Sequence, residues 1–106
     1  MLHLFEKDKS KTIHMKDIDA MIGKIELIDI RDPFEYDSGS IQTAKNIPLN
    51  NLLEAPERYL VKDKIYYVMC QSGVRSRMAS KTLRKQGFDI IEVAGGMSAY
   101  TGTKRV

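Results

Sequence analysis

The 106-residue chain has a single cysteine, Cys70. One thiol cannot form an intramolecular disulfide, a Cys-x-x-Cys redox pair or a multi-cysteine zinc site, so no metal site is expected. That cysteine usage fits a reducing compartment. Tryptophan is absent and histidine occurs twice. His3 and His14 both lie far upstream of Cys70 and form no local Cys–His arrangement. A cysteine-protease site therefore has no support, and both histidines are expected at the surface or on an edge strand. No apolar stretch approaches the roughly 18 residues that a membrane span needs. The segment Met1 to Lys11 has only four apolar residues before a charged run, so no signal peptide is expected and the expected location is cytoplasmic. Basic residues cluster at Lys7, Lys9 and Lys11 and again at Lys81, Arg84 and Lys85, for a net charge of +3. No aromatic residues interleave with them, so nucleic-acid binding has little support, and solvated faces are the expected role.

What is present is ordinary globular material, 42% hydrophobic and 29% charged, long enough for one domain over residues 1–106 with a modest core. Ile18, Met21 and Ile22 recur at helical spacing, and Gly23 stops that helix. Ile25 to Ile30 is a short apolar run that reads as a buried strand. Asp32-Pro33 closes it, and Tyr36 to Ser40 reads as a loop. Ala44 to Ile47 is a weak strand ended by Pro48, and Leu49 to Leu53 fits one or two helical turns limited by Pro56. Ile65 to Met69 is the clearest strand, β-branched and aromatic in character. After a tight loop from Cys70 to Arg75, Ser76 to Gln86 reads as a helix with Ala79 and Leu83 facing inward. Gly87 ends it, and Phe88 folds back on it. Ile90 to Val93 is another buried strand; Gly95-Gly96 turns the chain, and Met97 to Tyr100 forms a last helical turn. Met69 and Met78 are expected in the core.

Apolar strands alternating with helices argue for an α/β fold with a parallel sheet covered on both faces. In such sheets ligands bind beyond the C-terminal strand ends. Cys70 stands there, ending the best strand. The run Cys70-Gln71-Ser72-Gly73-Val74-Arg75-Ser76 links strand to helix, and successive amides in such a loop can form a concavity that holds an anion. The helix start adds its positive end, Gly73 permits the tight turn, and Arg75 adds a fixed charge with several donors. These features favour a thiolate and a reactive Cys70. A surface salt bridge is the plainer role for Arg75, and a helix N-cap the plainer role for Ser76.

Three segments resemble the rhodanese family of sulfurtransferases, together covering about His14 to Tyr100. The first is Leu27-Ile28-Asp29-Ile30-Arg31-Asp32-Pro33-Phe34-Glu35-Tyr36, followed by Gly39, Ile41 and Ala44-Lys45-Asn46-Ile47-Pro48-Leu49. The second is the loop from Cys70 to Ser76. The third is Val93-Ala94-Gly95-Gly96-Met97-Ser98-Ala99-Tyr100. The family's Gly-His-Ile-Pro-Gly-Ala stretch reads Gly39-Ser40-Ile41-Gln42-Thr43-Ala44 here, and Tyr100 stands where tryptophan is more common. Within the first segment Asp29 and Arg31 are expected to form a structural ion pair or hydrogen-bond anchor. Asp32 and Glu35 either pair with Arg31 or meet solvent.

The resemblance implies a five-stranded parallel sheet flanked by helices on both faces. It also implies thiosulfate sulfurtransferase chemistry with Cys70 as nucleophile and Gln71, Ser72, Gly73, Val74, Arg75 and Ser76 around the substrate. No cofactor is implied. The partners would be a small anionic sulfur donor such as thiosulfate, and a thiol or sulfur-accepting protein. Two alternatives use the same fold. A cysteine-dependent phosphatase or arsenate reductase has five residues between cysteine and arginine, whereas four intervene here, Gln71 to Val74. A non-enzymatic docking module commonly lacks the cysteine.

Overall fold

The computed structural model describes residues 11–106, so His3, Lys7 and Lys9 lie outside the described residues. Five strands form one sheet: β1 (Thr12–His14), β2 (Glu26–Asp29), β3 (Lys45–Asn46), β4 (Ile65–Met69) and β5 (Asp89–Ala94). Their order is β1-β5-β4-β2-β3, and every pair is parallel. Among the described residues three α-helices accompany them: α1 (Pro33–Asp37), α2 (Leu49–Glu54) and α3 (Val74–Lys85). Among the described residues no helix is long and apolar enough to cross a membrane.

The twofold alternation of strand side chains divides the core into two layers. Ile28, Tyr66, Val68, Cys70 and Ile90 pack with Leu52 of α2 and with Ala79 and Leu83 of α3. Leu27, Met69 and Val93 face the other way, onto Met15, Ile18, Ile41, Met97 and Tyr100, with Tyr36 of α1 packed against them. Each fully buried large side chain here contributes about 1.5–3 kcal/mol of transfer free energy. The sheet is thus covered on both faces, as expected. Cys70 continues the Tyr66, Val68 series and so enters the layer beneath α3.

The helix expected around Ile18 to Ile22 is instead two 3₁₀ turns, Met15–Asp17 and Asp19–Met21. His14 caps the first by accepting the Lys16 amide at Nδ1, 3.1 Å away. Ile22 then turns to extended backbone, which ends the second turn. The loop expected over Tyr36 to Ser40 begins as helix, because Asp32 and Glu35 form a reciprocal capping box with Pro33 in the first turn, a combination that starts helices. Helix α3 starts two residues earlier than expected. Gly73, at φ +97°, is its N-cap, so Ser76 is inside the helix rather than capping it. Met78 is 46% exposed and is not core, whereas Met69 is fully buried. Gly87 and Phe88 end α3 as expected: the Phe88 amide returns to the Leu83 carbonyl at 3.1 Å. His14 lies on the edge strand β1.

Candidate active site

Strand β4 delivers Cys70 to the C-terminal edge of the sheet, between β2 and β5. Its side chain is fully buried. The Sγ atom accepts the backbone N–H of Gly73 at 3.1 Å and that of Ser76 at 3.3 Å. The thiol also reaches the Ser76 hydroxyl oxygen at 3.4 Å, and that hydroxyl donates to the Gly73 carbonyl at 3.2 Å. Ser76 therefore supplies two groups around sulfur from the first turn of α3. Among the described residues, the amides of Gln71, Ser72, Val74 and Arg75 have no protein acceptor. The loop thus carries free donors beside a sulfur atom that already collects two.

The 95–98 turn fixes which way the loop faces. Met97 and Ser98 donate their backbone N–H groups to the Cys70 and Gln71 carbonyls, both at 2.9 Å. With these two carbonyls held by the turn, the Gly73 and Ser76 amides meet Sγ. Gly96 makes the close approach possible: it sits at φ +61° and ψ −168°, and a Cβ there would collide with the Cys70 and Gln71 carbonyl oxygens.

Two arginines reach the loop, and a carboxylate matches each. Arg31 is buried at the end of β2 and grips Asp29, with Nη2 to Oδ2 at 2.8 Å and Nε to both oxygens at 3.0 Å. It also donates to the Gln71 side-chain oxygen from Nη1 at 3.1 Å and to the Gly39 carbonyl from Nη2 at 2.8 Å. The anchor expected of Asp29 and Arg31 is present, and it extends to the loop through Gln71. Arg75 makes a two-point pair with Glu35: Nη1 to Oε1 at 3.0 Å and Nη2 to Oε2 at 3.1 Å. The Arg75 hydrogen bonds hold the Glu35 carboxyl below its ordinary range. Reciprocally, Glu35 raises Arg75, with a smaller contribution from nearby Cys70. The fixed charge expected from Arg75 is therefore paired with a carboxylate. Glu35 pairs with Arg75, not with Arg31 or solvent. The spacing Asp32-Pro33-Phe34-Glu35 signals a capping box, which turns Glu35 back toward the helix start, but it does not signal Arg75 as the partner. Of the remaining expected contacts, Ser72 on the loop and Val74 at the start of α3 are exposed.

The rhodanese-like domain family profile matches residues 14–103. The uncharacterized protein YqhL of Bacillus subtilis is 36% identical over 101 residues, covering 94% of this chain and 79% of that protein. YtwF of the same organism, named as a candidate sulfurtransferase, is 42% identical over 76 residues, 72% of this chain and 73% of its own length. A crystal structure of a rhodanese-like domain protein from Staphylococcus aureus superposes with a TM-score of 0.80 at 28% identity, covering 91% of this chain and 96% of that one. The chain belongs to the rhodanese-like family.

Proposed function

We propose that this chain, acting as a single domain over residues 1–106, is a sulfurtransferase that carries sulfane sulfur as a persulfide on Cys70. The observation that carries the reading is the convergence of the Gly73 and Ser76 amides on Cys70 Sγ. Family membership and the resemblance to YtwF support it. The reaction is a double displacement. The Cys70 thiolate attacks the outer sulfur of a donor, the donor's S–S bond breaks, and the leaving group keeps the electron pair: sulfite from thiosulfate, or a thiolate from a persulfide. A thiophilic acceptor, either a small thiol or a protein, then attacks the outer sulfur and restores the Cys70 thiolate. Gly73 and Ser76 hold the inner sulfur, and the free amides of Gln71, Ser72, Val74 and Arg75 surround the outer one, stabilising negative charge on it. No organic cofactor or metal takes part in these steps. A lone thiol that must return to the reduced state suits the cytoplasm.

The test is intact mass after incubation with thiosulfate, alongside turnover to cyanide. Wild-type protein is expected to gain one sulfur. Cys70→Ser is expected to gain none and to lose all turnover while keeping its circular dichroism spectrum. A folded Cys70→Ser variant with more than residual turnover would refute the mechanism.

A further inference from the structure

We propose that Glu35 is a specificity-determining positioning residue. By holding the Arg75 guanidinium in a two-point pair, it keeps the loop's outer cation from the sulfonate end of thiosulfate. It thereby biases Cys70 toward persulfide donors, whose leaving group carries no sulfonate. This rests on the sulfur-transfer reading above and names the donor class that the same site favours.

Thiosulfate is a dianion, and loading from it releases another dianion: Cys70-S⁻ and S-SO₃²⁻ give Cys70-S-S⁻ and SO₃²⁻. An attacking thiolate and a dianion repel each other, so this step gains from an uncommitted cation beside the leaving sulfite. Among the described residues two cations hydrogen-bond beside the loop, and each is paired with a carboxylate. Arg31 is buried against Asp29, with its other donors on Gln71 and Gly39. Arg75 is matched by Glu35, and the pair is partly withdrawn from water, with side chains 33% and 20% exposed. A sulfonate at the mouth would meet a carboxylate beside each of these two cations. Loading from a persulfide has no such demand: Cys70-S⁻ and R-S-SH give Cys70-S-SH and R-S⁻, in which the single negative charge only changes place. The loop amides serve that reaction as well as the other.

Glu35→Gln isolates the charge. Glutamine can still accept the Asp32 amide, now received by Oε1 at 2.9 Å, so the capping box survives, while Arg75 loses its counter-charge and the acceptor of its Nη2. Loading would be followed by mass with thiosulfate and with glutathione persulfide, for wild type, Glu35→Gln, Glu35→Asp, Arg75→Ala and the Glu35→Gln/Arg75→Ala double variant. Glu35→Gln is expected to raise kcat/KM for thiosulfate about fivefold, mainly through KM, and to change the persulfide reaction less than about twofold, the scale of a partly exposed ion pair. Glu35→Asp, which keeps the charge, should retain the wild-type donor ratio. In the double variant, compared with Arg75→Ala alone, the Glu35→Gln gain should be erased. An unchanged donor ratio in Glu35→Gln, or a gain that persists without Arg75, overturns the proposal while leaving Cys70 loading intact. Wild-type protein that gains sulfur from neither donor overturns the sulfur-transfer reading itself, and this proposal with it.

Discussion

Arg31 holds four acceptors at once, two on Asp29 and one each on Gln71 and Gly39. Its planar fork of donors serves this geometry in a way that a lysine ammonium cannot. Both members of the pair are almost wholly buried, at 3% and 0% exposure. Two buried charges together are tolerable because each neutralises the other; one alone is not. Arg31→Met would leave the Asp29 carboxylate buried and two further acceptors without donors. The expected cost is about 3–5 kcal/mol of folding stability, the range for breaking a buried pair from one side. Urea unfolding monitored by circular dichroism gives the value. A loss below about 1 kcal/mol would mean that water replaces the guanidinium, and that this anchor does not stabilise the loop.

The element that holds the loop is the tight turn after β5. Gly96 combines positive φ with nearly extended ψ, a region essentially confined to glycine, where another residue costs about 1–3 kcal/mol. In Gly96→Ala the new methyl would also press on the two carbonyls that Met97 and Ser98 hold. The expected result is lost stability together with a larger loss of sulfur loading, since moving those carbonyls turns the Gly73 and Ser76 amides off Sγ. Stability from urea titration and loading by mass should be measured on one preparation. Loading that falls only as far as the folded fraction would show that the turn supports the fold but does not aim the loop.

Elements with a local signal were legible in the sequence. β4 has a continuous β-branched and aromatic run, and α3 has Ala79 and Leu83 four apart with Gly87 as its stop. Cys70 between them follows from that strand–loop–helix order. β1 was not legible: three residues after a charged run become a strand only because Glu92 to Ala94 of β5 offer a partner. Met78 is apolar but lies on the side of α3 that faces solvent, which its residue type alone does not reveal. The partner of Arg75 was hidden for a similar reason. Glu35 lies 40 positions away in sequence, and only the packing of α1 beside the start of α3 brings the two together.

The whole molecule is closed by a tie between distant parts of the chain. Asp19, in the second 3₁₀ turn, accepts the Tyr100 hydroxyl at 2.6 Å and the Thr103 amide at 3.0 Å, and the Lys104 amide donates to the Tyr100 oxygen at 2.5 Å. Further along, Ser40 and Val106 exchange backbone hydrogen bonds at 3.1 and 2.8 Å, so the last residues close over the layer containing Met15 and Ile41. The Tyr100 hydroxyl, followed by the Thr103 amide, lowers the Asp19 carboxyl below its ordinary 3.8. A carboxylate lowered by folding stabilises the fold at pH above its unfolded value, and that stabilisation is lost as pH falls through the folded value. Glu35, lowered from 4.5, acts in the same direction. Thermal stability should therefore decline on acidification below about 4.5 and continue to decline below 3.8. Asp19→Asn isolates one part of this arm, since it keeps an acceptor for Tyr100 but cannot ionise. The variant should melt below wild type at neutral pH. The gap should close as acid protonates Asp19 in the wild type, because both proteins then present a neutral side chain to Tyr100. Melting curves at intervals between pH 7 and pH 2.5 would follow the gap. A difference in Tm that stays constant through that range would show that the carboxylate's charge plays no part in joining the 19–21 turn to the C-terminal segment.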